Sequence, residues 1–180
     1  KHMLLNALAV IAICHYERLD AREVAKVLKT FKGAERRFKE TFIGNNVLVD
    51  DYAHHPTEVK VTIKAARQKY PDKRIVAIFK PNTYSRTRDF KFEFIDALNT
   101  VDKAFVTEID CNRERPEDYP GVSSNMIILG LNDGDIISEE TISKLANELN
   151  SVICFMSCAH TEDLIASLKE LINNIPKEEE

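Results

Sequence analysis

Residues 46–58 read NVLVDDYAHHPTE, an apolar run that leads directly into carboxylates, a tyrosine, two histidines and a proline. The apolar run predicts a strand, and Pro56 suits the first turn of a helix. Apolar residues then recur with helical spacing from Val59 to Tyr70, and Pro71 ends the pattern. The stretch therefore predicts a strand, a polar loop and a helix in succession.

Strand and helix signals alternate along the rest of the chain. Buried strands are predicted at RIVAIFK (74–80), KAFVTEI (103–109), DIIS (135–138) and SVICFMS (151–157), and helices at 88–101, 139–150 and 161–175. The polar, proline-containing residues 110–125 predict a surface loop. Repeated strand–helix units predict an α/β fold, a Rossmann-like, doubly wound and mostly parallel sheet.

Two helices and a hairpin are predicted before these units. Residues 3–16 are apolar at nearly every position, as in a buried helix, and Asp20 reads as the N-cap of a second helix that ends at Gly33. RRFKETFI (36–43) alternates like a strand, and Gly44-Asn45-Asn46 is typical of a hairpin turn. A leading β-hairpin is therefore expected before the polar loop.

Composition narrows the class of protein. With 180 residues, of which 44% are hydrophobic and 30% charged, the chain can form one domain with a full core. A net charge of −4 gives no reason to expect a nucleic-acid partner, and no apolar run reaches the roughly 18 residues that span a bilayer. Four cysteines without disulfide-scaffold spacing suit a reducing compartment, so we expect a cytoplasmic protein without a membrane partner.

Two polar loops follow predicted strands, at the strand ends where open α/β sheets bind ligands. The first loop is residues 50–56, DDYAHHP, and the second loop is residues 80–88, KPNTYSRTR. Carboxylates and histidines would suit a metal phosphohydrolase, whereas Lys80, Arg86 and Arg88 suit an anion- or nucleotide-binding site. A purely structural role is the third alternative, and the residue types alone leave the three open.

The same loops carry a resemblance. DDYAHHPTE followed by PNTYSRT resembles the C-terminal domain of Mur ligases, in particular those that join L-alanine to UDP-N-acetylmuramate. HMLLNALA (2–9) and FKGAERRF (31–38) are similar to the family's His-Asn-x-x-Asn-Ala and Phe-x-Gly-x-x-Arg-Arg-Phe segments. The motifs span residues 2–124, and the remainder matches in its strand–helix pattern.

The resemblance implies a three-domain, ATP-dependent enzyme of peptidoglycan-precursor synthesis. Residues 1–17 would be the terminal helix of the central ATPase domain, 18–175 the Mur ligase C-terminal domain, and 176–180 a disordered tail. No Gly-x-x-x-x-Gly-Lys-Ser/Thr phosphate loop occurs in the chain, so it is expected to be inactive alone and to hold no catalytic residue. The ligands of Mg²⁺ are expected in the missing central domain, and the UDP-binding and ATPase domains are the expected partners.

The implied reaction phosphorylates the muramate carboxylate, and the amino group of L-alanine then attacks the acyl phosphate to form an amide. By resemblance, the amino acid would contact Tyr52, His54, Asn82, Thr83 and Arg86. ATP would contact His2, Asn6, Arg37 and Asp51. Arg86 is the natural partner for the carboxylate of alanine.

The sequence departs from the family pattern at three places. Met3 stands where asparagine is usual, Asn82 stands where histidine is usual, and SCAH (157–160) replaces a glycine-rich turn. Asparagine can donate and accept a hydrogen bond but carries no charge.

Three residues beside the motifs are predicted to have structural roles. Arg36 is expected as a solvated strand residue, His55 as a helix-start residue that caps or packs, and Tyr84 as a residue that packs under its loop.

Two further functional alternatives remain beside the L-alanine ligase and the metal phosphohydrolase. A ligase that recycles a tripeptide onto the same muramate shares the first loop, but the relatives known to us lack TYSRT in the second. A non-catalytic nucleotide- or anion-binding module is the other.

Overall fold

The computed structural model describes residues 2–31, 33–148 and 150–174, and the side chains of His2 and Met3 lie outside the described set. The predicted tail, 176–180, lies outside the described residues too. The chain divides into two units, residues 1–35 and 36–180. None of the described helices is both long and apolar enough to cross a bilayer.

The first unit contains two helices, α1 (His2–Tyr16) and α2 (Ala21–Thr30). The predicted N-cap is confirmed, because the Asp20 carboxylate accepts the backbone amides of Arg22 at 2.9 Å and Glu23 at 3.1 Å. Apolar residues of α1 such as Leu4 and Ile13, each 64% exposed, face solvent in the described part of the unit. The predicted helix is therefore present, but these side chains are not buried within the unit. Whether α1 belongs to a neighbouring domain stays a prediction.

The second unit is built on one six-stranded sheet, which confirms the predicted fold class. The strands are β1 (Lys39–Ile43), β2 (Asn46–Asp51), β3 (Ile75–Phe79), β4 (Lys103–Val106), β5 (Gly134–Ile136) and β6 (Val152–Met156). Their order is β1-β2-β6-β3-β4-β5. The β1–β2 hairpin is antiparallel and all other neighbours are parallel.

Helices cover both faces of this sheet. They are α3 (Pro56–Lys69), α4 (Tyr84–Asp89), α5 (Lys91–Leu98), α6 (Asn125–Ile128) and α7 (Glu162–Asn174), with 3₁₀ segments at Pro116–Asp118 and Ile142–Glu148. Ile63 of α3 and Phe94 of α5 pack on one face, and Leu164 and Leu168 of α7 pack on the other. Strands buried on both sides explain why the central strands read as continuous apolar runs.

Three predicted elements differ from the structure. The strand predicted at 36–43 begins only at Lys39, because Arg36 and Phe38 have positive φ values of 52° and 53°. A short helix, α4, occupies much of the predicted second loop. The helix predicted at 139–150 is a 3₁₀ segment at Ile142–Glu148.

The hairpin turn is joined to the start of β6 by a buried amide. Asn46 is 4% exposed, and its Oδ1 accepts the backbone amides of Asn150 at 2.7 Å and Ser151 at 3.4 Å. Its Nδ2 donates to the Ile43 carbonyl at 3.3 Å. The neighbouring Asn45 is exposed, and its side chain forms no hydrogen bond within the described residues.

We predict that Asn46→Ala lowers the free energy of unfolding by about 2 kcal/mol, because two backbone donors at a buried position lose their acceptor. Asn45→Ala, the matched control, should change it by less than about 0.5 kcal/mol. Urea unfolding of the two variants measures both values. Equal stability of the two variants would contradict the assigned role of Asn46.

Candidate functional site

The carboxyl ends of β2, β6 and β3 meet at one edge of the sheet, with β6 in the middle. The backbone amide of Ser157 donates to the Asp51 carbonyl at 3.1 Å, and the amide of Lys80 donates to the Met156 carbonyl at 3.1 Å. The Ser157 hydroxyl also donates to the Lys80 carbonyl at 3.0 Å. The first and second loops therefore lie on either side of residues 157–161, which we call the β6 turn.

Hydrogen bonds to the Asp51 carboxylate join the residue before β1 to the first loop. Asp51 is 7% exposed, and its carboxylate accepts the amides of Phe38 and Ala53, both at 2.9 Å. Burial raises the pKa of Asp51, and these amides and the Arg37 guanidinium offset only part of that rise. The hydrogen bond that the Phe38 amide donates to Asp51 explains why residues 36–38 leave the strand. The predicted ribose contact of Asp51 stays a prediction.

The first loop ends in a capped helix. Nδ1 of His55 accepts the Thr57 amide at 3.3 Å, and the Glu58 carboxylate accepts the amides of His54 at 3.1 Å and His55 at 3.2 Å. Burial raises the pKa of Glu58, but these amides outweigh it, so the net pKa is lowered. The His55 ring packs on Phe90 with centroids 5.0 Å apart. The prediction that His55 caps and packs is confirmed.

Three polar side chains pack around the Tyr52 ring at the open end of the first loop. Tyr52 is 38% exposed, and the His54 ring meets it edge-on with centroids 5.5 Å apart. The guanidinium carbons of Arg36 and Arg37 lie 5.6 and 5.4 Å from the Tyr52 centroid. Three predicted site residues, Tyr52, His54 and Arg37, are thus brought together.

Arg36 is held from several sides. Its Nε donates to Asp50 at 3.3 Å, and its Nη2 donates to the carbonyls of Ser157 and Ala159, both at 2.9 Å, and to the Thr161 hydroxyl at 3.2 Å. The prediction of a solvated strand residue is wrong, because the positive φ of Arg36 turns its side chain onto the β6 turn. Local sequence contains no signal for this contact, whose partners lie more than 120 residues away.

Arg86 differs from the other two cations of the second loop in its partners. Lys80 donates to the His160 carbonyl at 2.9 Å and lies 3.8 Å from Asp110, and Arg88 pairs with Asp89 at 2.7 Å. Arg86 forms no ion pair within the described residues, and its closest hydrogen-bond acceptor there is the Asn82 carbonyl, at 3.5 Å. Its positive charge is therefore available to an anion.

Asn82 precedes Arg86 by four residues, and its side chain has no hydrogen-bond partner among the described residues. Asn82 is 7% exposed, yet its side-chain amide forms no hydrogen bond within the part of the chain that the structure describes. Thr83 follows with a φ of 71°, an uncommon conformation outside glycine. Among the described residues no fully buried side-chain nitrogen or oxygen lacks a hydrogen-bond partner, so the Asn82 amide reaches solvent and is free to contact a ligand.

Burial raises the pKa of the Cys158 thiol in the β6 turn, and the Arg86 guanidinium partly offsets that rise. The positive charge of Arg86 therefore acts on the Cys158 thiol of the β6 turn.

Glu114, from the predicted surface loop, holds the second loop. Its carboxylate accepts the Ser85 backbone amide at 3.0 Å and the Ser85 hydroxyl, and the Tyr119 hydroxyl donates to it at 3.3 Å. The Tyr119 ring stacks on Tyr84 with centroids 5.9 Å apart, so Tyr84 packs as predicted. No sequence periodicity points to these contacts.

The remaining predicted residues lie in the first unit. Asn6 is exposed on α1, and the His2 side chain lies outside the described residues. Their predicted contacts with ATP stay predictions. Among the described residues, no group of three or more His, Cys, Asp or Glu side chains is arranged to hold a metal ion.

The fold is an α/β domain of the Rossmann type, with two polar loops at one edge of its sheet. The family model described as "Mur ligase, glutamate ligase domain" matches residues 36–155. The chain belongs to the Mur ligase family.

Proteins from three bacteria show how the chain relates to this family. It is 44% identical over 156 residues to the UDP-N-acetylmuramate–L-alanine ligase of Lactobacillus helveticus, covering 86% of this chain and 35% of that protein. It is 39% identical to the same ligase of Ligilactobacillus salivarius over 175 residues, covering 97% and 39%. The crystal structure of the Thermotoga maritima UDP-N-acetylmuramate–alanine ligase aligns with a TM-score of 0.67 at 25% identity, covering 96% and 37%. The chain thus spans little more than a third of each of these proteins.

Arg36 and Arg37 offer a matched pair for mutation. We predict that Arg36→Ala lowers the free energy of unfolding of the chain by about 2–3 kcal/mol, because carbonyl and carboxylate acceptors lose a charged donor. Arg37→Ala should cost about 1 kcal/mol or less, since Arg37 makes no hydrogen bond or ion pair within the described residues and loses only its contact with the Tyr52 ring. Urea unfolding measures both, and a larger loss for Arg37→Ala would refute the division of roles.

Proposed function

We propose that this chain is the amino-acid-binding C-terminal domain of an ATP-dependent ligase that joins L-alanine to UDP-N-acetylmuramate in peptidoglycan-precursor synthesis. The names and identities of the two bacterial relatives support the reaction. The observation that carries the proposal is that Arg86 has no ion pair, and the Asn82 side chain no hydrogen bond, among the described residues at the edge of the sheet where the two loops lie.

The second loop binds the carboxylate of the amino acid. Arg86 presents a planar donor fork that matches a carboxylate, and Asn82 and Thr83 supply uncharged donors and acceptors. Because Asn82 is neutral where histidine is usual, the charge recognition of the carboxylate falls on Arg86.

The first loop faces the amino group. Nδ1 of His54 lies 2.9 Å from the Tyr52 carbonyl and 3.4 Å from the Glu58 carboxylate, which can only accept hydrogen bonds, so Nδ1 carries a proton and Nε2 is the ring nitrogen left for a ligand. The amino group must lose a proton before it attacks an acyl phosphate, and an unprotonated Nε2 can take that proton as a general base. Tyr52 closes the side of the pocket.

Nucleotide binding uses the other set of residues. Arg37 is exposed and unpaired within the described residues, which suits contact with ATP phosphates or ribose, and Asp51 accepts from the ribose hydroxyls. His2 and Asn6 bind near the adenine, and ATP supplies the phosphoryl group that activates the muramate carboxylate. The ligands of Mg²⁺ and the phosphate loop belong to the upstream domains, so this chain alone is inactive. ATP-dependent synthesis of this kind takes place in the cytoplasm.

Ligation of a tripeptide to the same muramate is the second proposed function, because the first loop is shared by ligases of that kind. The TYSRT segment of the second loop and the names of the two relatives favour L-alanine.

We predict that Arg86→Ala in the intact ligase raises the KM for L-alanine at least tenfold. A charge-assisted hydrogen bond is worth about 1.5–3 kcal/mol, and 1.4 kcal/mol corresponds to a factor of ten. The KM for ATP should stay within about twofold, because the two sets of contacts are separate. Steady-state phosphate release measures both constants.

Arg88→Ala is the matched control, because Arg88 lies in the same helix but is paired with Asp89. An unchanged KM for L-alanine in Arg86→Ala, or an equal rise in Arg88→Ala, would count against the assignment.

A further inference from the structure

The second loop depends on a segment that lies outside the motifs. Residues 110–119 run alongside it, beginning with a backbone bridge in which Thr83 donates to the Asp110 carbonyl and Asp110 donates to the Pro81 carbonyl, both at 2.9 Å. We call residues 110–119 the strap. Its next attachment is the Glu114 carboxylate on Ser85.

Helix α4 cannot cap itself. Its N-cap residue, Thr83, has a φ of 71°, and its side chain accepts no backbone amide of the first turn. The Ser85 amide, one of the donors left free at a helix start, is accepted instead by Glu114, 29 residues away. The backbone conformation at Thr83, which lies between Asn82 and Arg86 in the chain, is therefore stabilised by a residue outside the second loop.

A second contact keeps the Glu114 carboxylate in place. The Tyr119 hydroxyl donates to Glu114 while the Tyr119 ring stacks on Tyr84, and the Arg88 guanidinium carbon lies 5.6 Å from the Tyr119 centroid. Tyr84 and Arg88 both belong to α4, so the strap contacts this helix at its first turn and along its side.

The strap is a surface structure and not a part of the core. Each of residues 110–121 is described, and none of them is buried. Loss of one strap contact should loosen the second loop without unfolding the sheet beneath it.

The charge of Glu114 suits this contact. Burial raises the pKa of Glu114, but the Ser85 hydroxyl, the Ser85 amide and the Tyr119 hydroxyl outweigh it, so the net pKa is lowered. Glu114 is therefore ionised at neutral pH, the form that accepts all three hydrogen bonds.

We propose that Glu114 is a positioning residue for amino-acid binding, whose carboxylate holds Ser85 and thereby keeps Asn82 and Arg86 in the geometry that receives the amino acid. This inference rests on the proposed function. Glu114 itself does not touch the amino acid.

The kinetic test compares Glu114→Ala and Glu114→Gln with Glu117→Ala in the intact ligase. Glu117 is an exposed strap carboxylate whose side chain forms no hydrogen bond within the described residues. Because small displacements of a binding group weaken binding strongly, Glu114→Ala should raise the KM for L-alanine about tenfold or more. The KM values for ATP and UDP-N-acetylmuramate, and kcat at saturating L-alanine, should stay within about twofold. Glu114→Gln, which keeps one acceptor oxygen, should lie between wild type and Glu114→Ala, and Glu117→Ala should match wild type.

Amide hydrogen exchange on the 180-residue chain tests the contact without catalysis. In Glu114→Ala the Ser85 amide should exchange at least about tenfold faster, while the Ile78 amide in β3 keeps its wild-type rate, which shows that the core is intact.

The outcomes separate the two proposals. A wild-type ligase that releases phosphate without any dependence on L-alanine would defeat the proposed function. A wild type that uses L-alanine, together with Glu114 variants whose KM for L-alanine is unchanged, would overturn the positioning role.

Discussion

The parallel pairing of β6 between β2 and β3 is the constraint on which the site depends. Val49 and Ala77 both pair with Cys154, so the three strands end together and their following loops meet at one edge. Nothing in either loop alone brings Tyr52 and Asn82 to the same edge of the sheet. An open α/β sheet places its ligands at such an edge, and this chain assembles its candidate amino-acid pocket there from residues some 30 positions apart.

One arginine of the site has a structural role, and two are suited to bind an anionic ligand. Arg36 donates hydrogen bonds to Asp50 and to the β6 turn, whereas Arg37 and Arg86 have no carboxylate partner within the described residues. An ion pair within the protein would have to be broken before an anionic ligand could bind, so the unpaired arginines are the ones suited to that role. We assign Arg37 to the nucleotide and Arg86 to the amino acid, which keeps two anionic ligands on separate cations.

Much of the fold follows from the sequence because its signals are local. Apolar runs predicted β3 and β6, Asp20 and Pro56 marked helix starts, and the Gly44-Asn45 turn marked the hairpin. Two of the errors lie where distant contacts override local preference. Arg36 and Phe38 leave the predicted strand because Asp51 and the β6 turn hold them, and α4 forms because Glu114 caps it from 29 residues away. The motif residues could be found by family resemblance, but the residues that hold them in place could not.

Phosphate release by the intact ligase that carries this chain tests the central claim most directly. The reaction contains ATP, Mg²⁺ and UDP-N-acetylmuramate, and is run without an amino acceptor, with L-alanine, and with the tripeptide. The account predicts release that depends on L-alanine and saturates with it, and little release with the tripeptide. Release with the tripeptide but not with L-alanine, or no dependence on either acceptor, would contradict the account.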